Sequence, residues 1–188
     1  TTLRIGGIPM PPTIITENID QAVSTVKLYG TAVVKPLYSS KARGMHLFNT
    51  DDPELLKKMK HFKYVEGNTA IYLQKKIEIP GKDLGVAFLG GKYVGTYARV
   101  GSKESWNTTT LSGGKYQPFE PSKDIIDLAK KAQSLFKLDF TCVDVVETDQ
   151  GPMVFEVSAF GGFRGLKEAL DIDIAAKYID YVVKKVKK

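Results

Sequence analysis

The chain has 188 residues, 43% of them hydrophobic and 26% charged, which suits one sizeable domain or two small ones and excludes a disordered or fibrous protein. Its net charge of +6 favours an anionic partner, although the tail Lys184-Lys185-Val186-Lys187-Lys188 holds much of the excess and reads as a solvated helix end. A single cysteine, Cys142, excludes an internal disulfide and a Cys-based zinc site and points to a reducing, cytoplasmic compartment, while no apolar run is long enough for a membrane span.

Thr1-Thr2-Leu3-Arg4 has no signal-peptide apolar stretch and no initiator Met, as expected of a fragment or processed product. Residues 7–13, with three prolines, cannot be helix interior. Asn18 then caps a helix with Ile19, Ala22, Val23 and Val26 at helical spacing, ended by Gly30. Thr31-Ala32-Val33-Val34-Lys35 is a buried strand stopped by Pro36. A loop of small and basic residues leads to a strand at 45–48. Asp52-Pro53 starts a helix whose apolar face is Leu55, Leu56, Met59 and Phe62, and a strand runs over 70–74 towards Ile79.

Pro80-Gly81 punctuates the chain, dividing it into 1–79 and 80–188. A hairpin follows, with strands at 84–89 and 93–98 about a Gly90-Gly91 turn. Residues 101–118 read as a long polar loop, a length usually reserved for function or disorder. Ser122 caps a helix carrying Ile125, Leu128, Ala129, Ala132 and Leu135. A second hairpin spans 140–158, a glycine-rich bend 159–165, and a last helix carries Ile172, Ala175, Ile179, Val182, Val183 and Val186 on one side. The architecture expected is α+β.

The second hairpin carries the most chemistry. If Asp149-Gln150-Gly151 is a three-residue turn with Gly151 left-handed, residue 148 pairs with 152, Asp144 with Glu156, and Cys142 with Ser158. Like charges directly opposite in a sheet repel, and a cation between them removes the conflict. Oxygen ligands this close suit Mg²⁺, which bridges carboxylates to phosphates. The competing account is a solvated strand face. Val143, Val145, Met153, Phe155 and Val157 lie on the other face, which is expected to pack on the two amphipathic helices and to leave Asp144, Glu156 and Ser158 facing away.

Lys35, at a strand end before a small-residue loop, can reach phosphate oxygens, or it snorkels to solvent. Arg99 suits two-pronged clamping of phosphate or carboxylate, or lies on the surface. Asn107, Thr108 and Thr109 offer polar contacts to phosphate or stabilise a turn. His46 reads as core or edge, and His61 lies at a Lys-rich helix end. No Walker, Rossmann or Gly-x-Ser-x-Gly pattern occurs. The runs of lysine lack the interleaved aromatics that nucleic-acid binding requires.

In order and spacing the chain resembles the ATP-grasp superfamily, and within it the RimK-like amino-acid ligases. The stretches that carry the resemblance are Gly7-Ile8-Pro9-Met10-Pro11, Val33-Val34-Lys35-Pro36, Tyr72-Leu73-Gln74-Lys75-Lys76-Ile77, Gly81-Lys82-Asp83-Leu84, Arg99, Gly113-Gly114, Val143-Asp144-Val145, Phe155-Glu156-Val157-Ser158 and the closing helix from Asp171. It covers nearly the whole chain. It implies an ATP-grasp fold of two α/β subdomains clasping a nucleotide cleft, residues 1–79 as the small lid and 80–188 as the C-terminal subdomain with a metal-binding hairpin.

By the same resemblance Lys35 holds ATP phosphates, Gln74 to Ile77 form the hinge that meets adenine through Lys75 and Lys76 backbone groups, and Asp83 lies near the ribose. Arg99, as the catalytic cation, serves the reaction end with Asn107 and Thr109. Asp144, Glu156 and Ser158 hold one or two Mg²⁺ (or Mn²⁺) ions. The chain departs from the family pattern at Gly85 and Asn107, often Arg; at Thr109, often Asn; at Ser158, usually Asn; and at Lys75, commonly acidic.

The implied function is an ATP-dependent carboxylate–amine ligase acting through an acyl phosphate and adding an amino acid such as glutamate to a small-molecule or protein-tail acceptor. The alternatives are a nucleotide-binding ATP-grasp module without turnover and, more distantly, a basic RNA-binding domain. No membrane association is expected, and a homo-oligomer is compatible with the sequence.

Overall fold

A computed structural model of the protein describes residues 2–39, 42–101, 108 and 114–187. The elements are α1 (Thr2–Ile5), β1 (Thr13–Thr16), α2 (Ile19–Tyr29), β2 (Thr31–Lys35), β3 (His46–Asn49), α3 (Leu55–Lys60), β4 (Ile71–Lys75), β5 (Lys82–Leu89), β6 (Lys92–Val100), β7 (Lys115–Pro118), α4 (Lys123–Ser134), β8 (Phe140–Val146), β9 (Met153–Ala159), α5 (Phe163–Leu170) and α6 (Ile174–Val186). The mixture of helix and antiparallel sheet agrees with the α+β expectation. Two compact units emerge: Pro11–Glu78, and the residues up to Met10 together with Ile79–Lys188.

The smaller unit is a four-stranded antiparallel sheet of order β1-β4-β2-β3. Asn18 caps α2 by accepting from the Gln21 N–H at 2.9 Å, and Gly30 ends it with φ +76°, where a side chain would be strained. Ala22 and Val26 from α2, and Leu55 and Met59 from α3, bury against Ala32, Val34, Phe48, Ile71 and Leu73. The helix expected at Asp52-Pro53 starts two residues later. Asp52 instead closes a turn by accepting from the Glu54 N–H at 2.9 Å. That helix then widens into a π-helical turn, His61–Val65, which places Phe62 in the core.

The larger unit is a five-stranded antiparallel sheet of order β7-β6-β5-β8-β9. Central β5 is buried from Asp83 to Phe88 because both faces are covered. On one face Leu84, Val86, Phe88, Ala98, Val143, Val145 and Val154 pack against Ile125, Ala129 and Ala132 of α4. On the other, Ala87, Tyr97, Phe140 and Cys142 lie under Leu166 of α5 and Ile174 of α6.

Several expectations are corrected here. Of the two amphipathic helices expected on the Val143/Val145 face, α4 packs there; α6, together with α5, covers the carboxylate-bearing face, at its Phe140/Cys142 end. The glycine-rich bend turns directly into α5, since Gly162, with φ +97°, lets the turn lie against Cys142. Part of the long loop, residues 115–118, is strand β7. The first ten residues belong with the larger unit rather than with 11–79. Ile8 is in its core, and the Val154 N–H donates to Pro9 O at 2.8 Å.

Gly85 is the close-approach point of this sheet. The Tyr97 ring, directly opposite on β6, fills the volume a side chain at 85 would take, so a Cβ there would sit 2.4 Å from Tyr97 Cζ. A Cβ at Gly165 of α5 would meet the same ring at 2.3 Å. One phenol thus joins sheet to helix between two residues that have no side chain. Gly85→Ala is expected to lower stability by about 1–3 kcal/mol through overpacking, read as a fall in the urea midpoint; in a Tyr97→Ala background the same substitution should cost nothing.

Candidate functional site

Asp144 lies directly opposite Glu156, and Cys142 opposite Ser158. The expected pairing is therefore present, by a different route. Thr148 and Gly151 exchange backbone hydrogen bonds of 2.9 and 3.3 Å, which closes a two-residue turn and pairs 148 with 151, not 152. Val146 then pairs with Met153 and Val145 with Val154. A β-bulge restores the register: Phe155 is the extra residue, and beyond it Asp144 meets Glu156. The bulge also corrects the apolar face, where Val154 takes the place expected for Met153 and Phe155 beside Val143 and Val145.

Asp83, Gly85 and Ala87 of β5 share the face of Asp144 and Glu156, as do Tyr97 and Arg99 of β6. Arg99 lies opposite Asp83 and donates from Nε to its two oxygens at 3.0 and 3.2 Å; Nη2 also contacts Asp83 Oδ2. The same Nη2 reaches past β5 to Asp144 Oδ2 at 2.8 Å. Thr108 donates its hydroxyl to Asp83 Oδ1. Ser158 donates to Glu156 Oε1 at 2.8 Å, next to Asp144. Asp83, expected near a ribose, thus has both oxygens engaged by Arg99. Asn107 and Thr109 lie outside the described residues.

In the smaller unit Lys35 donates from Nζ to Gln74 Oε1 at 2.7 Å, and Gln74 Nε2 donates to Thr13 Oγ1 at 3.2 Å. The Lys75 and Lys76 N–H groups donate to Pro12 O and Thr31 O at 2.8 and 3.0 Å. A base meeting these two residues through the backbone would therefore use their carbonyl oxygens. Ile77 follows the end of β4.

The RimK-like ATP-grasp domain model matches residues 2–182. The chain belongs to this family. A tetrahydromethanopterin:α-L-glutamate ligase of Methanocaldococcus jannaschii is 27% identical over 98% of this chain and 64% of its own length. A probable α-L-glutamate ligase of Legionella pneumophila is 28% identical over 96% and 60%. Among solved structures, an ATP-grasp RimK domain protein of Sphaerobacter thermophilus superposes with TM-score 0.74 at 21% identity, covering 96% of this chain and 64% of that one. The ATP-grasp ligase PsnB, complexed with Mg, ADP and a phosphomimetic precursor variant, gives 0.74 at 18% identity, covering 97% and 55%. The fold is that of the ATP-grasp ligases, and the chain spans about three fifths of the curated relatives it matches.

The electrostatics of this RimK-like domain converge on Asp144. Its side chain is 17% exposed. Burial pushes its carboxyl up to about 7, against the lowering effect of Arg99, and the carboxylates of Asp83 and Glu156 push it the same way. Arg99 is held well above its ordinary value by Asp144 and Asp83, although burial opposes this. Burial also pushes the Cys142 thiol up to about 12, which removes it as a nucleophile.

Among the described residues no three His, Cys, Asp or Glu side chains come together to hold a metal ion. Asp144, Glu156 and Ser158 nonetheless fit a hard cation, because they offer only oxygen, and Mg²⁺ commonly takes one or two carboxylates and completes its shell with water and phosphate. An ionised Asp144 facing Glu156 is the local charge such a cation would neutralise. Sequence reasoning missed Tyr97 and gave Thr108 no role apart from its neighbours. The signal for Tyr97 was Gly85, whose missing side chain requires a partner.

In the metal-free protein the raised Asp144 makes the folded state bind the proton more tightly than the unfolded one. Stability is therefore expected to fall as pH rises between about 4 and 7, by at most about 1.4 kcal/mol per unit. Asp144→Asn removes that slope, so in EDTA its melting temperature should gain on the parent between pH 5 and pH 8; parallel pH profiles would contradict the placement of this charge.

Proposed function

We propose that this chain is the nucleotide-binding part of an ATP-dependent carboxylate–amine ligase that joins an amino acid such as glutamate to a carboxylate acceptor. The observation that carries the reading is the opposed pair Asp144 and Glu156 beside Arg99, on the face of the hairpin sheet away from α4, in a chain matched almost throughout by the RimK-like model. The glutamate-ligase names of its relatives support the choice of amino acid.

In this reading Lys35 binds ATP phosphates, and Gln74 to Ile77 lie along the adenine. Asp144, Glu156 and Ser158 hold Mg²⁺ or Mn²⁺, which when bound supplies charge neutralisation at the triphosphate. Asp83 keeps Arg99 oriented, and Arg99 steadies the transferring phosphoryl group. An acceptor carboxylate oxygen attacks the γ-phosphorus, the bond to the β–γ bridging oxygen breaks, and ADP leaves. The amine nitrogen then attacks the acyl carbon, phosphate leaves, and the nitrogen loses a proton as the amide forms. Positioning and charge stabilisation suffice for both steps, so no side-chain nucleophile is required. Arg99 is already engaged by two aspartates, which favours a second reading: nucleotide binding without turnover.

Calorimetry with ATP should show binding that strengthens when Mg²⁺ is added. Asp144→Asn and Glu156→Gln should each weaken the Mg²⁺-dependent part by about 1.5–3 kcal/mol, roughly tenfold to a hundredfold, with melting still cooperative. Unchanged Mg-ATP affinity in both variants would refute the metal assignment. Phosphate release that depends on glutamate and on a member of a carboxylate panel supports the ligase; Mg-ATP binding with no such release across the panel supports the second reading.

A further inference from the structure

One face of the smaller unit's sheet carries a hydrogen-bond chain that runs in a single direction. Pro11 O can only accept, and Thr13 donates its hydroxyl to it at 2.8 Å. That uses the only proton on Thr13 Oγ1, so this oxygen must accept from its other neighbour. The neighbour is Gln74, 3.2 Å away, and the group facing Thr13 is therefore the amide NH₂. The amide oxygen is left facing Lys35, whose ammonium donates to it at 2.7 Å. The orientation of a terminal amide, ordinarily ambiguous, is here dictated from the Pro11 carbonyl outward.

The backbone explains why these groups meet. Gln74 lies opposite Thr13 on one side and opposite Val33 on the other, and Lys35 follows Val33 by two residues on the same face. Gln74 is 3% exposed, so neither end of its amide is offered freely to water. Tyr72, directly opposite Lys35, brings its ring centroid to 5.6 Å from Nζ. A lysine side chain is flexible, and ordering it when a ligand arrives opposes binding. An amide orients the ammonium without adding an opposing charge, whereas a carboxylate at 74 would compete with any anionic ligand.

We propose that Gln74 and Thr13 are positioning residues for Lys35, a relay anchored at Pro11 that presets the ammonium for the phosphates of the nucleotide. The inference rests on the reading of Lys35 as a phosphate-binding group. Thr13→Val removes the hydroxyl and nearly preserves shape, Thr13→Ser restores the hydroxyl, Gln74→Leu breaks the relay at its centre, and Lys35→Ala removes its end. Each is titrated with Mg-ATP and with adenosine, which lacks phosphate, and melting curves report folding.

Thr13→Val should weaken ATP about three- to tenfold and leave adenosine unchanged, with Thr13→Ser close to the parent, and Gln74→Leu should weaken ATP at least as much as Thr13→Val. In a Lys35→Ala background, Thr13→Val should have no further effect on ATP. Equal losses for ATP and adenosine in Thr13→Val, or a Lys35→Ala loss with no loss from Thr13→Val, would overturn the relay. An ATP affinity untouched by Lys35→Ala would overturn the phosphate role of Lys35 itself, and the relay with it. If Gln74→Leu does not fold, the Val and Ser variants at 13 decide alone.

Discussion

Arg99 is clamped between Asp83 and Asp144, and much of the larger unit is arranged around that contact. The guanidinium is bound two-pronged by Asp83 from the adjoining strand and reaches one strand further to Asp144. Buried ion groups of this kind add little net stability, because the cost of desolvation offsets the attraction, yet losing one partner is expensive. Their value lies in what they define. Among the described residues at this spot, Arg99 is the cation paired with Asp83 and Asp144, while Glu156 accepts from the Ser158 hydroxyl, so three acids face one cation. A divalent cation carrying a polyphosphate suits such a surface; a bare anion does not.

The sequence-visible parts are those governed by local rules. The Asn18 cap, the stop at Gly30 and the strand over residues 31–35 all depend on near neighbours, and each appears as expected. The Asp144/Glu156 pairing was also legible, although the turn carrying it was misread, because a shorter turn and the bulge at Phe155 displace the register by equal and opposite amounts. What stayed hidden depends on distant partners. Helix α5 opens on glycines that look like bend, and strand β7 lies in polar sequence with only β6 to pair with. The apolar stripe of the last helix shows that it packs, but not on which face of the sheet. Gln74 was legible as a strand-end residue; its link to Lys35 crosses 39 positions in the chain.

The glycine at position 85 has a physical account. No residue with a side chain fits at 85 while the Tyr97 ring occupies that space, and the ring is in turn accommodated by Gly165. Positions 85, 97 and 165 form one packing unit. Tyr97 brings a buried hydroxyl, 3.4 Å from the Cys142 sulfur, to the floor of the carboxylate face. Burial pushes that phenol well above its ordinary value and keeps it neutral. The ring lies on the same face of the sheet as Arg99, two residues along β6.

The extra residue at Phe155 makes loop length and strand geometry interchangeable in this hairpin. Adding a residue to the Thr148 turn while removing the bulge would keep both acids facing each other, whereas either change alone would slide one strand past the other and turn a carboxylate towards α4. The turn of this hairpin can thus change length without losing the acidic pair, provided the irregularity moves in step.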